Sequence, residues 1–358
     1  MKKIILTILL LLILSCSLLL GSLVLYKKNK NERNDNIPVI NTTITTDEEI
    51  EKTNNNDILI TAVGDCTFGY DENFGYTNSF NEVYEKNGPN YFFGGVKHIF
   101  KNDDLTIANY EGTFTDSTVK KDKKFAFKAP KEYVKILNEG NIEVVNLANN
   151  HSHDYYVVGH TDTINALNDV NVNYFGNNDY YVYEKNDIKI GIAGIFCIEW
   201  YCTSKVDKAI NDLKAKEVDN IILSFHWGIE KDYKQSEIQK YIGHYSIDHG
   251  ADLVLGHHPH VLQGIEKYKD KYIIYSLANF SFGGNKNPRD KDTMITKFDF
   301  KYTEEKVLED IELKVYPASV SSVKNINDYR PVLLEGEEAI RVLNKIQQYS
   351  EGIDLLAN

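Results

Sequence analysis

The chain has 358 residues, 42% hydrophobic and 26% charged, with a net charge of −12. Such a chain can bury a sizeable core and is neither fibrous nor disordered. With no basic stripe to follow a phosphate backbone, it argues against nucleic acid as a partner. Its acidic surface repels a polyanionic substrate unless the site supplies cations, of which metal ions are one source.

Ile4 to Tyr26 is an uncharged run between Lys2, Lys3 and Lys27, Lys28, Lys30. As a helix it spans a hydrocarbon core of roughly 30 Å, whereas a cleavable secretory signal has an apolar stretch of about 7–15 residues. The expectation for residues 1–28 is an uncleaved signal anchor, one pass through the cell membrane with the main domain extracellular. Flanking charge does not decide the orientation, although large following domains translocate regardless. Ile13-Leu14-Ser15-Cys16 faintly resembles a lipoprotein processing site, which Leu14 and the apolar run beyond Cys16 disfavour. Residues 29–56, rich in Asn, Thr, Asp, Glu and Lys, read as a polar linker.

From 57 to 358, β-rich runs alternate with helix-length segments. Strands are expected at Ile58–Val63, Leu105–Ala108, Glu143–Leu147, Lys189–Ile195, Asn220–Phe225, Asp252–Leu255 and Tyr272–Leu277. Helices are expected at Lys131–Glu139, His160–Asp169 and Ser236–Asp248. The alternation predicts one α/β domain with much parallel sheet. The tail from Asp299, with a β-like Glu309–Tyr316 and a helical Glu335–Tyr349, is expected to complete the fold and cover an edge.

Most of these strands end in a polar cluster: Gly64-Asp65, Asn109-Tyr110-Glu111-Gly112, Asn149-Asn150-His151, His226-Trp227-Gly228, Gly256-His257-His258-Pro259-His260 and Asn279-Phe280. Singly each has an ordinary reading: Asp65 and Asn109 as turn residues, Asn150 as a helix cap, His226 as a hydrogen-bonded core histidine. Carboxyl ends of strands in an open α/β sheet share one edge, so the clusters are expected to converge. His258 and His260, two apart, can both face one ion. Asp65, Glu111, Asn150, His151, His226, His258 and His260 offer oxygen and nitrogen donors suited to zinc, manganese or iron, and outnumber what one tetrahedral ion needs. Two divalent ions bridged by a carboxylate follow as the expectation. Cys197 and Cys202 are left either paired or as free buried thiols, and no CxxC pair points to a thiolate site.

Thr61-Ala62-Val63-Gly64-Asp65, Ala108 to Gly112, Asn146 to His151, Phe225 to Glu230, Gly250 to His260 and Tyr275 to Phe280 together resemble, in that order, the motifs of the CapA family of poly-γ-glutamate capsule synthesis proteins. The resemblance covers about Ile58 to Phe282. It implies a branch of the calcineurin-like metallophosphatases, a sandwich of two β-sheets flanked by helices. It also implies that Asp65 and His260 serve one ion, Asn150, His226 and His258 the other, with Glu111 between them. His151 is then the general acid, with Asp154 three residues on. Asn279 and Lys128, at the family's basic position ahead of a proline, are the expected substrate contacts, although Lys128 also reads as a solvated loop lysine. Three departures stand out: Thr67 replaces a histidine usual in metallophosphatases, and Tyr156 and Ala278 replace glycines. The resemblance implies a membrane-anchored protein of capsule biosynthesis or export, with poly-γ-glutamate or a related anionic envelope polymer and synthase subunits as partners. Alternatives are a cell-envelope phosphoesterase and a non-catalytic polymer-binding scaffold.

Overall fold

The computed structural model describes residues 54–198 and 202–356. The expected anchor at 1–28, Cys16 and nearly all of the 29–56 linker lie outside the described residues. No helix among the described residues is long and apolar enough to cross a membrane.

The strands in chain order are β1 (Ile58–Thr67), β2 (Leu105–Tyr110), β3 (Thr113–Phe114), β4 (Lys128–Ala129), β5 (Val144–Asn146), β6 (Asn173–Phe175), β7 (Tyr180–Lys185) and β8 (Ile188–Cys197). They continue as β9 (Asn220–Trp227), β10 (Leu253–His257), β11 (Ile265–Tyr268), β12 (Lys271–Ile274), β13 (Asn279–Phe282), β14 (Asp292–Tyr302), β15 (Leu308–Ser319) and β16 (Val332–Leu333). One sheet runs β16-β15-β14-β1-β2-β5-β6, with β13 also on β1; a second runs β11-β12-β10-β9-β8-β7. Both are mixed. The central pairs β1–β2, β2–β5, β8–β9 and β9–β10 are parallel, while β14–β15 and the outer pairs β7–β8 and β11–β12 are antiparallel.

The layering follows from strands that are apolar on both faces, as strands covered on both sides must be. Ile58, Ile60 and Ala62 of β1 join Ile190, Ile192, Ile222, Leu253 and Leu255 of the second sheet in one buried cluster, so these faces pack together. The opposite faces are covered by helices. Val63 and Val145 pack with Phe80, Phe92, Ile136 and Leu167 from helical segments on one side. Leu223, Phe225 and Val254 pack with Val206, Ile210 and Ile242 from helices Thr203–Lys214 and Glu237–His249 on the other. The result is an α/β sandwich of two mixed sheets flanked by helices. Helix Glu237–His249 opens with a capping box in which Ser236 and Gln239 satisfy each other's backbone N–H groups.

The structure corrects two expectations. The polar strand ends do not share one sheet edge: β1, β2 and β5 belong to one sheet, β9 and β10 to the other, and the two edges meet. The tail from Asp299 completes the first sheet as expected, β15 pairing with β14 and β16 with β15. The run Tyr272–Leu277 is not one strand. It leaves the second sheet after β12 and crosses to the first as β13, where Asn279 pairs with Asp65. The crossing segment presses so closely on its neighbours that a Cβ on Gly64 would stand 2.0 Å from the Ala278 carbonyl oxygen, and one on Gly256 2.1 Å from that of Tyr275. Glycine is the residue that admits such backbone approach.

Cys197 and Cys202 form a disulfide, which removes the free-thiol alternative, and Cys66 is a free, buried cysteine.

Candidate metal centre

Strand register brings the site together. Across the first sheet Asn279, Asp65, Asn109 and Asn146 are successive register partners. In the second, His257 pairs with His226. After β10 the chain turns sharply through His258 and His260, at φ of 97° and 57°, which carries both rings toward the first sheet. Left-handed backbone at non-glycine residues is strained, and such strain gathers at functional loops.

Asp65 is fully buried and held from several sides. Asn109 Nδ2 donates to its Oδ1 (2.8 Å) and the backbone N–H of His258 to its Oδ2 (3.3 Å). His260 Nδ1 lies 3.2 Å from Oδ2, and His257 Nδ1 3.4 Å from Oδ1. Burial disfavours its charge, but hydrogen bonds from His257 and His260 outweigh this and hold the carboxyl well below the usual range. Glu111 has the opposite balance: burial, reinforced by the charges of Asp65 and Asp154, pushes its carboxyl up. His226 Nε2 lies 3.4 Å from Glu111 Oε1, and His260 Nδ1 3.9 Å from Oε2. Burial drives His226 well down and His258 down to about 4, so both rings are neutral and competent as ligands.

Two groups with ligand atoms mutually within 4.8 Å share Glu111: Glu111, His226 and His258, and Asp65, Glu111 and His260. The donor set passes a direct test of fit. Both Glu111 oxygens, His226 Nε2, His258 Nδ1 and Asn150 Oδ1 are buried with no hydrogen-bond partner. Each unmade bond costs about 1–3 kcal/mol. All five atoms can act as Lewis bases, so a cation is the partner they have in common. Thr67 Oγ1, two residues from Asp65 on the same strand face, is also buried without a partner.

His151 stands beside this cluster, its Nε2 3.9 Å from Glu111 Oε1. Its Nδ1 is 2.6 Å from Asp154 Oδ2, which also accepts from the Phe127 N–H (2.8 Å), and the Phe127 ring packs 4.6 Å from the imidazole. Burial lowers the His151 pKa, with the Asp154 hydrogen bond opposing. Asn279 Oδ1 lies 2.9 Å from His260 Nδ1, so Asn279, expected to contact substrate, sits beside the His260 ring.

Lys128 sits elsewhere. Its ammonium donates to the Ser117 carbonyl (3.0 Å) and lies over the Tyr155 ring, in a cleft of about 270 Å³ lined by Tyr70, Asn81, Thr115, Asp116 and Pro130. The cation beside the site is Lys123, which sequence reasoning missed. Its Nζ donates to Asp154 Oδ1 (2.7 Å) and to the Asn150 carbonyl (3.1 Å). Nothing in the run Lys120-Lys121-Asp122-Lys123-Lys124 distinguishes it. Also missed was the role of Asn149, which donates to the Tyr110 carbonyl (2.8 Å) and accepts from the His151 N–H (3.0 Å), pinning one ligand loop to the next. Its place beside Asn150 was the available signal.

Residues 59–284 match the profile of the family described as bacterial capsule synthesis protein PGA_cap. The chain belongs to this family. Among curated PGA_cap-like relatives it is 28% identical over 302 residues to "Capsule biosynthesis protein CapA" of Bacillus anthracis, covering 76% of this chain and 71% of the relative. It is 28% identical over 298 residues to "PGA biosynthesis protein CapA" of Bacillus subtilis (strain 168), covering 76% of each. Among solved structures, a hypothetical protein from Thermus thermophilus aligns over 73% of this chain and 99% of its own, at 14% identity and a TM-score of 0.45. That likeness is too low to bear on the fold, which rests on the sheets themselves. In this PGA_cap chain Tyr156 and Ala278, where the sequence resemblance implied glycines, adopt φ of 57° and 63°. The left-handed backbone is kept without the glycine.

Proposed function

We propose that this PGA_cap protein is a membrane-anchored, extracellular component of capsule biosynthesis or export that handles poly-γ-glutamate or a related anionic envelope polymer at a dinuclear metal centre. The observation that carries the proposal is the pair of buried ligand groups sharing Glu111, with their unpartnered donor atoms. Asp65 and His260 would hold one divalent ion, Asn150, His226 and His258 the other, and Glu111 would face both; manganese, zinc and iron suit the donors. When bound, such ions supply Lewis acidity toward an acyl or phosphoryl oxygen. His151 acts as the proton carrier, with Asp154 fixing its Nδ1 side and leaving Nε2 toward the centre. Lys123 neutralises Asp154, and Phe127 shields the imidazole from water. The Cys197–Cys202 disulfide supports an oxidising compartment outside the cytoplasm, and the apolar run 4–26 supports the anchor.

The His151–Asp154 pair also supports a second reading, a cell-envelope phosphoesterase. Full-length chain purified in detergent is to be assayed for metal content and screened against γ-glutamyl polymers and an activated phosphoester. Two transition ions per chain are expected, with turnover of at least one substrate class lost in His151→Ala while metal is retained. A folded chain that takes up no metal removes both enzymatic readings. Polymer production that survives double substitution of His258 and His260 favours a scaffold.

A further inference from the structure

Glu230 follows β9 by three residues and is exposed, yet it forms a third ligand group with His258 and His260, the ligand atoms again mutually within 4.8 Å. This is the group in which the two histidines of Gly256-His257-His258-Pro259-His260 do face one point together. Each also belongs to one buried group, His258 with Glu111 and His226, His260 with Asp65 and Glu111. The outer group therefore shares one ligand with each inner position and alone includes an exposed side chain.

The turn bearing Glu230 is built in place. The Lys231 N–H donates to the Pro259 carbonyl (2.8 Å), tying the turn to the histidine loop. Gly228, at φ of 80°, packs where a Cβ would meet the Gln239 side chain at 2.8 Å. His258, 6% exposed with Nδ1 unpartnered, is shared between this outer group and the Glu111–His226 group.

We propose that Glu230, His258 and His260 form an entry site for divalent cations, through which ions pass from solvent to the buried positions at Glu111. The inference rests on the metal-centre reading above. A carboxylate at the mouth of an acidic protein attracts a hydrated cation. An ion passing inward would exchange the Glu230 oxygen for Glu111 while staying held by His258 or by His260, whichever serves that inner position. Carboxylate and imidazole bind through lone pairs, the proton that His260 carries in the metal-free chain leaving to solvent as the ion binds, so the step needs no redox partner.

The test is the rate at which metal-free full-length chain takes zinc from a fluorescent chelator in stopped flow, with elemental analysis of the end point. Glu230→Gln is expected to slow uptake at least about fivefold, a size within the range of electrostatic steering, with final stoichiometry equal to wild type. Glu237→Gln, which removes an acidic charge from the first turn of the next helix, is expected to stay within about twofold of wild type. Three results overturn the entry role: an unchanged rate in Glu230→Gln, equal slowing in both variants, or loss of an ion at the end point, which makes Glu230 a resident ligand. A wild-type chain that takes up no zinc overturns the metal-centre reading itself.

Discussion

His226 Nε2 lies 3.4 Å from Glu111 Oε1 where solvent does not reach, and neither atom has a hydrogen-bond partner. At this separation the pair makes no full hydrogen bond, so both buried groups stay poorly satisfied, and a shared cation would satisfy both. Metal is therefore expected to raise the melting temperature of the wild-type chain. In Glu111→Gln, which keeps shape but loses the charge facing both groups, that gain should largely disappear. His226→Ala should lose one ion and keep the other by elemental analysis. Equal metal-induced shifts in wild type and Glu111→Gln would count against the shared carboxylate.

Lys123 and Asp154 form an ion pair whose carboxylate is wholly buried. Removing the cation leaves that charge with only neutral donors, and breaking a buried pair is costly. Because Lys123 is partly exposed, Lys123→Met is expected to destabilise by about 2 kcal/mol. Lys86→Met, which breaks an exposed pair with Glu82, should cost less than half as much. Denaturant midpoints decide the order, and the reverse order would count against the Lys123–Asp154 pair as a buried support.

Ala278 holds a left-handed backbone at some strain, whereas Gly64 is needed for close approach. Ala278→Gly is accordingly expected to be neutral or to stabilise by up to about 1 kcal/mol, the relief of strain being offset by backbone entropy. Gly64→Ala drives a methyl into the Ala278 carbonyl and should cost about 3 kcal/mol or more, or prevent folding. Thermal melts of the two variants should move apart.

Far from the metal centre, Glu143 accepts from the Thr106 N–H (2.8 Å) at the amino ends of β2 and β5. Burial pushes its carboxyl up to about 7, and neighbouring Asp103, itself raised to about 6, adds to the shift. A folded-state pKa above the unfolded value means the folded chain holds the proton more tightly. Its stabilisation is complete below about pH 4.5 and is lost as pH rises through about 7. Glu143→Gln keeps an acceptor for Thr106, so its stability relative to wild type should rise over that window, by on the order of 1 kcal/mol after allowing for partial exposure. Parallel stability curves for the two chains would exclude this titration.

Much of the site was legible because its signals are local. Apolar runs ending in Asp65, Glu111, Asn150, His226 or His258 announce strand ends with ligand chemistry, and residue type alone specifies oxygen and nitrogen donors. The sequence by itself determined the α/β class, the order of ligand loops and the family. Only the tertiary structure decided that the loops come from two sheets and that Asn279 crosses to sit beside Asp65. It also decided that Lys123 neutralises Asp154, and that Glu230 reaches His258 and His260. The physical reason is that spacing along the chain encodes which face a residue takes within its element. Which sheet an element joins, and which of several identical lysines meets a carboxylate, depends on packing between segments far apart in sequence.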